Sequence, residues 1–281
     1  PDRFSRLKSW FEAYAGSFLT GQSETDGPLL LKIDHTPRVG RNMRRIGHSL
    51  QLTDAQLTTA EAVALLHDIG RFPQYRRFGT FNDRQSANHA TLGIEVLTNA
   101  AAFKDLGPDV QKIIVDAIRY HNVRTLPSRQ KPQSALFRQL IRDADKLDIW
   151  RVFAQCYQNP AQPDPTVILD LPDRPTWNSR ILRSIASGQI ANLHQMQSLN
   201  DFKLLQLSWV FDINFPETLI LARQRGHLGV IARCLPDAPA IRQAIDMVMK
   251  RLVQAVAPHL HGEDNEHPWL LDAGRAVAQK R

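Results

Sequence analysis

Cysteine is nearly missing from this chain. Its 281 residues hold two, Cys156 and Cys234, far apart and in no metal-binding or redox motif. That excludes a disulfide framework and a thiolate zinc site, and it fits a reducing, cytoplasmic compartment. No run of about 18 apolar residues occurs, so no segment reads as a membrane-spanning helix. The stretch PDRFSRLKSWFEAY lacks the apolar core and cleavage site of a signal peptide. It reads as a first helix packing Phe4, Leu7, Trp10, Phe11 and Tyr14 inward. Strand-type alternation, internal repeats and a long basic tail are lacking too. Acidic residues are outnumbered, 28 Asp+Glu against 35 Lys+Arg, for a net charge of +7. Such a balance attracts phosphate-bearing partners. Scattered as it is, it serves equally as a solvated basic surface.

What remains is helix throughout. Val39, Met43, Ile46 and Leu50 trace one helical stripe between Asp34 and Leu52, and His35 lies on it. A second helix starts near Thr53 or Asp54 and runs to His67-Asp68, with Gly70 as its C-terminal stop. Residues 71–85, RFPQYRRFGTFNDRQ, read as a loop. Ser86 caps the next helix, which carries His89, Gly93, Val96 and Leu97. Gly107-Pro108-Asp109 opens another, with Val110, Ile113, Ile114, Ala117, Ile118 and His121 on one face. A basic loop spans 123–133, and the helix from Ser134 holds the run Asp143 to Asp148. A Pro- and Asp-rich irregular loop fills 159–175. Helices are predicted at 177–188, 201–214, 216–234 and 239–258. The polar tail carries an HxH, His259 and His261, without company. His48 reads as a helix-surface residue, and His194 and His227 as isolated.

The chemistry-bearing residues come in a fixed order: His35, His67-Asp68, His89, His121, Asp145. A single histidine on an apolar face is usually a satisfied core residue. Here, however, His67 and Asp68 are adjacent near a helix end, where burying both without partners is costly. Further imidazoles and a carboxylate arrive from separate helices that must pack together. A metal ion satisfies all of them jointly. Imidazole with carboxylate suits Mn, Fe, Co, Ni or Zn, with Mg as a further option.

The ordered set, with LLHDIG around His67-Asp68 and DADKLD around Asp145, resembles the HD-domain superfamily of metal-dependent phosphohydrolases. The match spans about 30–151. It implies an all-α HD helical bundle with additional C-terminal helices at about 176–258, the whole of 1–281 forming one HD-type domain. The family's one-metal form has four ligands, which here match His35, His67, Asp68 and Asp145. Its two-metal form adds two histidines, matching His89 and His121. The resemblance therefore implies two divalent ions per chain, with Asp68 bridging them. Asp143 and Asp148 are the rivals to Asp145 and otherwise read as supporting or surface residues. Arg71 follows HDIG directly, where some members meet the phosphate, so it is assigned both a catalytic and a substrate-binding role. Arg76, Arg77, Phe81, Asn82 and Lys146 are further candidate substrate contacts. The implied activity is hydrolysis of a phosphomonoester or phosphodiester, of a nucleotide or related small molecule, by metal-activated water. Two alternatives stay open: an HD-type nuclease on single-stranded nucleic acid, and a non-catalytic metal-binding or ligand-sensing protein. The oligomeric state is not readable.

Overall fold

The computed structural model describes residues 2–127, 132–158, 168–169 and 171–254. His259 and His261 lie outside them, as do parts of the two long loops. Among the described residues every regular element is helical. The order is α1 (Arg3–Gly16), α2 (Ser23–Ser49), α3 (Asp54–Leu66), α4 (Arg71–Phe78), α5 (His89–Thr98), α6 (Ala101–Lys104), α7 (Pro108–His121) and α8 (Pro132–Gln158). Then come α9 (Ser179–Ala186), a 3-10 turn (Leu193–Gln195), α10 (Leu199–Ser208), a second 3-10 turn (Trp209–Asp212), α11 (Pro216–Arg225), α12 (His227–Arg233) and α13 (Pro239–Gln254).

Local chemistry sets several of the starts. Asp2 caps α1 by accepting from the Ser5 amide at 2.8 Å. Thr53 and Gln56 form a reciprocal capping box on α3. Pro108 occupies the first turn of α7, where a missing N–H costs nothing. Val39, Met43 and Ile46 are fully buried, as the stripe requires, against Ala60, Val63 and Ala64 of α3 and Leu140, Ile141 and Ala144 of α8 in one apolar cluster.

Several boundaries differ from the sequence-based expectation. Helix α2 begins at Ser23 rather than near Asp34 and runs through Pro28 and Pro37. An interior proline costs a helix about 3 kcal/mol, which the buried stripe offsets. Residues 71–78 are helix α4, not loop. Gly70 has φ −72 and is right-handed; it stops nothing by a left-handed turn. Helix α5 is capped by Asn88, whose side chain accepts from the amides of Ala90 and Thr91. Ser86 bonds the Asn82 carbonyl at 2.8 Å instead. The segment 216–234 is two helices, broken at Gly226 with φ 68, where a side chain would be strained.

The C-terminal helices are fastened to α8. Asp143 accepts from the amides of Asn214 and Phe215, each at 3.0 Å, and from the Thr218 hydroxyl at 3.0 Å. Trp150 donates its Nε1 to the Gln206 carbonyl at 2.9 Å. Arg225 reaches the Asn42 side chain at 2.8 Å. Neither Cys156 nor Cys234 is joined in a disulfide.

Gly70 and Gly93 sit where α4 and α5 cross. A Cβ on Gly70 would meet the His89 carbonyl at 2.0 Å and the Gly93 amide at 2.4 Å. Gly70→Ala is therefore expected to destabilise the fold by about 1–3 kcal/mol through overpacking. Gly27→Ala, with nothing within 4 Å of the added carbon, is expected to be neutral or to gain up to about 1 kcal/mol from helix propensity. Denaturant unfolding of both variants checks the contrast.

Candidate metal centre

Helices α2, α5, α7 and α8 and the turn that follows α3 each deliver a polar side chain into the core. His35 (2% exposed), His67 (0%), Asp68 (5%), His89 (1%) and His121 (7%) are all buried. They fall into two groups whose ligand atoms lie within 4.8 Å of one another: His35, His67 and Asp145, then Asp68, His89 and His121.

The outer ring nitrogens explain which way each imidazole points. His35 Nδ1 meets Asp148 Oδ2 at 2.7 Å. His67 Nδ1 meets the Ala64 carbonyl at 2.8 Å. His89 Nδ1 meets Asp83 at 2.7 Å, and His121 Nδ1 meets the Ile118 carbonyl at 2.7 Å. Each partner only accepts, so each Nδ1 must donate. In a neutral ring the inward Nε2 is then a bare lone pair.

Those lone pairs face one another. His35 and His67 Nε2 are 3.3 Å apart, and His89 and His121 Nε2 are 2.9 Å apart. Asp145 Oδ1 adds a third acceptor, 3.0 Å from His35 Nε2 and 3.7 Å from His67 Nε2. It is buried without a hydrogen-bond donor. Acceptors converging without donors are what a cation requires, so the residues fit divalent metal ions. Imidazole and carboxylate are the donors that Mn, Fe, Co, Ni and Zn take.

Asp68 stands between the groups. Its Oδ2 is 3.8 Å from His35 Nε2 and 3.5 Å from His67 Nε2. Its Oδ1 is 3.4 Å from His89 Nε2 and 3.8 Å from His121 Nε2. Burial opposes its ionisation, yet Lys32, His67, His121 and Arg71 hold its carboxyl well below the usual range. Burial likewise opposes ionisation of Asp145, and His35 and His67 beside it hold that carboxyl well below the range too. Burial and Arg71 push His89 down to about 3, against the pull of Asp83. His35 goes the other way. Burial and Lys32 lower it, but Asp145 and Asp148 outweigh them and raise it.

Comparison with known families is consistent with a metal centre here. The family model of the HD domain matches residues 33–150. The chain carries an HD domain. HD domains are in general metal-dependent hydrolases that bind divalent ions. No curated protein and no solved structure matches the chain.

The HD domain places the other predicted residues unevenly. A cavity of about 430 Å³ opens beside the centre, lined by Asp68, His89, His121 and Asp145 together with Arg71 and Lys146. Arg71 donates to the Phe81 carbonyl at 2.6 Å and to Asp83 at 3.0 Å. Lys146 is tied to Asp212 at 2.7 Å. Arg76, Arg77, Phe81 and Asn82 are not among the lining residues. Arg76 lies over the Phe18 ring, because α4 turns its last residues outward. Phe81 packs beneath Lys32 and Arg71. Asn82 accepts from the Arg84 amide at 3.1 Å within a turn. Of the rivals to Asp145, Asp143 faces the C-terminal helices, and Asp148 orients His35.

One residue, Lys32, goes unread in the sequence, and another, Asp83, reads there only as part of the loop beside the ligand helices. Lys32 places its Nζ 2.6 Å from Asp68 Oδ2. It lies one turn before His35 on the same helix face, which is the signal that could have found it. Asp83 gathers His89, Arg71, Gln74 (2.8 Å) and Asn122 (3.1 Å). Nothing local distinguishes it from any loop aspartate.

Asp148 and Asp83 hold rings rather than facing the cation positions. Asp148→Ala and Asp83→Ala are each expected to weaken divalent-metal affinity about 10- to 100-fold while leaving the inward ligands in place. Metal titration of chelator-stripped protein measures this. Affinity at the His35 group is expected to fall as pH drops through the raised His35 pKa, because the proton and the ion compete for one lone pair. Titrations at pH 8 and pH 6 show the sign.

Proposed function

We propose that the protein is a metal-dependent phosphohydrolase that cleaves a phosphomonoester or phosphodiester of a nucleotide or related small molecule at a two-metal centre. The observation that carries the reading is Asp68, which offers one carboxylate oxygen to each histidine group. His35, His67 and Asp145 would hold one ion, and His89 and His121 the other. Bound there, divalent ions supply Lewis acidity that activates water near neutral pH and offsets negative charge on the phosphoryl group.

The chain's own residues do the remaining work. Asp148 and Asp83 fix two imidazoles in the tautomer that presents Nε2. Lys32 is placed at the cavity wall, and its ammonium would turn to a phosphoryl oxygen once Asp68 faces metal cations. Arg71 Nε is buried without an acceptor beside Asp68 Oδ1, at 3.4 Å, and would donate to the same phosphate. Cations outnumber carboxylates along the lining, which favours an anionic ligand. A cavity of about 430 Å³ favours a small ester over a polynucleotide strand.

Elemental analysis of protein purified without chelator is expected to give about two divalent ions per chain on the two-metal reading. The ratio should fall towards one in His89→Ala or His121→Ala. Asp68→Asn should lose both ions. Hydrolysis of phosphoesters and nucleotides with Mn, Co, Ni, Fe or Mg is expected to drop about 1,000-fold or more in Asp68→Asn. Wild-type turnover no faster than that of Asp68→Asn would sink the reading. Cleavage of single-stranded DNA or RNA, falling steeply with salt, would redirect it to a nuclease. Tight ligand binding without turnover would redirect it to a sensor.

A further inference from the structure

One wall of the cavity comes from outside the HD match. Ile190 to His194, Leu205, Trp209 and Asp212 all line it, whereas the family model ends at residue 150. This wall is held in place. The Ala191 amide donates to Ser208 Oγ at 3.0 Å. Arg124, on the loop after α7, reaches the Ile190 carbonyl at 3.3 Å. Asn192 accepts from the His194 amide at 3.0 Å and so fixes the 3-10 turn.

Two of its side chains are apolar and incompletely covered. Leu193 is 39% exposed, although most large hydrophobic residues described are buried. Trp209 is half-buried. Its indole is backed by the buried Trp150, with ring centroids 6.4 Å apart and planes at 36°. Apolar surface left facing water gains by being covered. The cavity lining therefore combines Lys32, Arg71 and the metal centre with two incompletely covered apolar side chains, Leu193 and Trp209.

We infer that Trp209 and Leu193 form a subsite for a flat aromatic ring system carried by the phosphoester, and that this subsite sets which esters the centre accepts. The indole is a rigid, flat surface suited to stacking. Arg124 and His194 at the same wall offer hydrogen bonds to ring heteroatoms, which an alkyl chain lacks. The inference rests on the phosphohydrolase reading for its phosphate end, while the wall itself stands on packing alone.

The test compares Trp209→Ala, Trp209→Phe and Leu193→Ala in the metal-loaded protein. Leu193→Ala trims an exposed side chain and keeps the test open if Trp209→Ala does not fold. Substrates are purine and pyrimidine nucleoside 5′-monophosphates and glycerol phosphate, which has no ring. The ratio of kcat/KM for the nucleotides to that for glycerol phosphate is expected to fall about 10-fold in Trp209→Ala, through KM. It should fall about threefold in Leu193→Ala and recover largely in Trp209→Phe. Leu30→Ala, an exposed position on α2 away from the cavity, should leave the ratio unchanged. An unchanged ratio in both the Trp209→Ala and Leu193→Ala proteins would overturn the subsite. If the wild type hydrolyses none of these esters, the phosphomonoesterase form of the reading fails. The subsite is then decided by calorimetric binding of the same nucleotides, expected to weaken about 10-fold in Trp209→Ala. No binding by the wild type, or tighter binding of an alkyl phosphate, would overturn it.

Discussion

Imidazoles cannot hold bare ring nitrogens about 3 Å apart in a dry core unless positive charge sits among them. That constraint governs this molecule. In the His89–His121 pair the separation is 2.9 Å, and in the His35–His67 pair it is 3.3 Å. Protonating an inward nitrogen relieves part of the repulsion, and His35 is the ring disposed to it, because Asp145 and Asp148 raise its pKa against burial and Lys32. A divalent ion relieves it better, since it brings more charge and accepts several lone pairs at once. The outer acceptors, two carboxylates and two backbone carbonyls, make the demand unavoidable by fixing every ring with its lone pair inward.

Five helices must meet for this to happen, and their packing is specified by ordinary means. Fully buried Val39, Met43 and Ile46 set the roll of α2 and therefore the direction of His35. Ile114, Ala117 and Ile118 do the same for α7 and His121. The crossing of α4 and α5 at Gly70 and Gly93 brings α5, with His89 at its start, against the end of α3. The glycine of the HDIG run thus acts by close approach rather than by a left-handed turn.

How much of this was legible follows from how local each signal is. The helical stripes, the proline and capping-box starts, and the six inward residues are periodic or motif-borne, and they could be read directly. Helix α2 was read from Asp34 because its apolar stripe is clear only from there, and the first turns from Ser23 carry no such stripe. Helix α4 was read as loop because its arginines and aromatics carry no clear stripe. Arg76 and Arg77 looked like substrate contacts from their position beside a ligand helix, but the direction of a helix cannot be seen from composition. Lys32 was missed because its partner, Asp68, is 36 residues away. The cavity wall at Trp209 was out of reach for the same reason, since only the folded chain brings it to Asp68.

Helix α8 has one further consequence. Over six consecutive residues it sends Asp143 to the amides of the C-terminal segment, Asp145 to the first histidine group, Lys146 to Asp212 and Asp148 to His35. One turn and a half of helix is therefore a common beam for the cation positions and for the wall that faces them. Strain or relaxation at either is felt by the same backbone, so the two share one cooperative unit of local opening. An ion that stabilises the beam would lend free energy to the distant wall by linkage. The coupling is reciprocal, so a ligand that firms the wall would in turn tighten the hold on the ion.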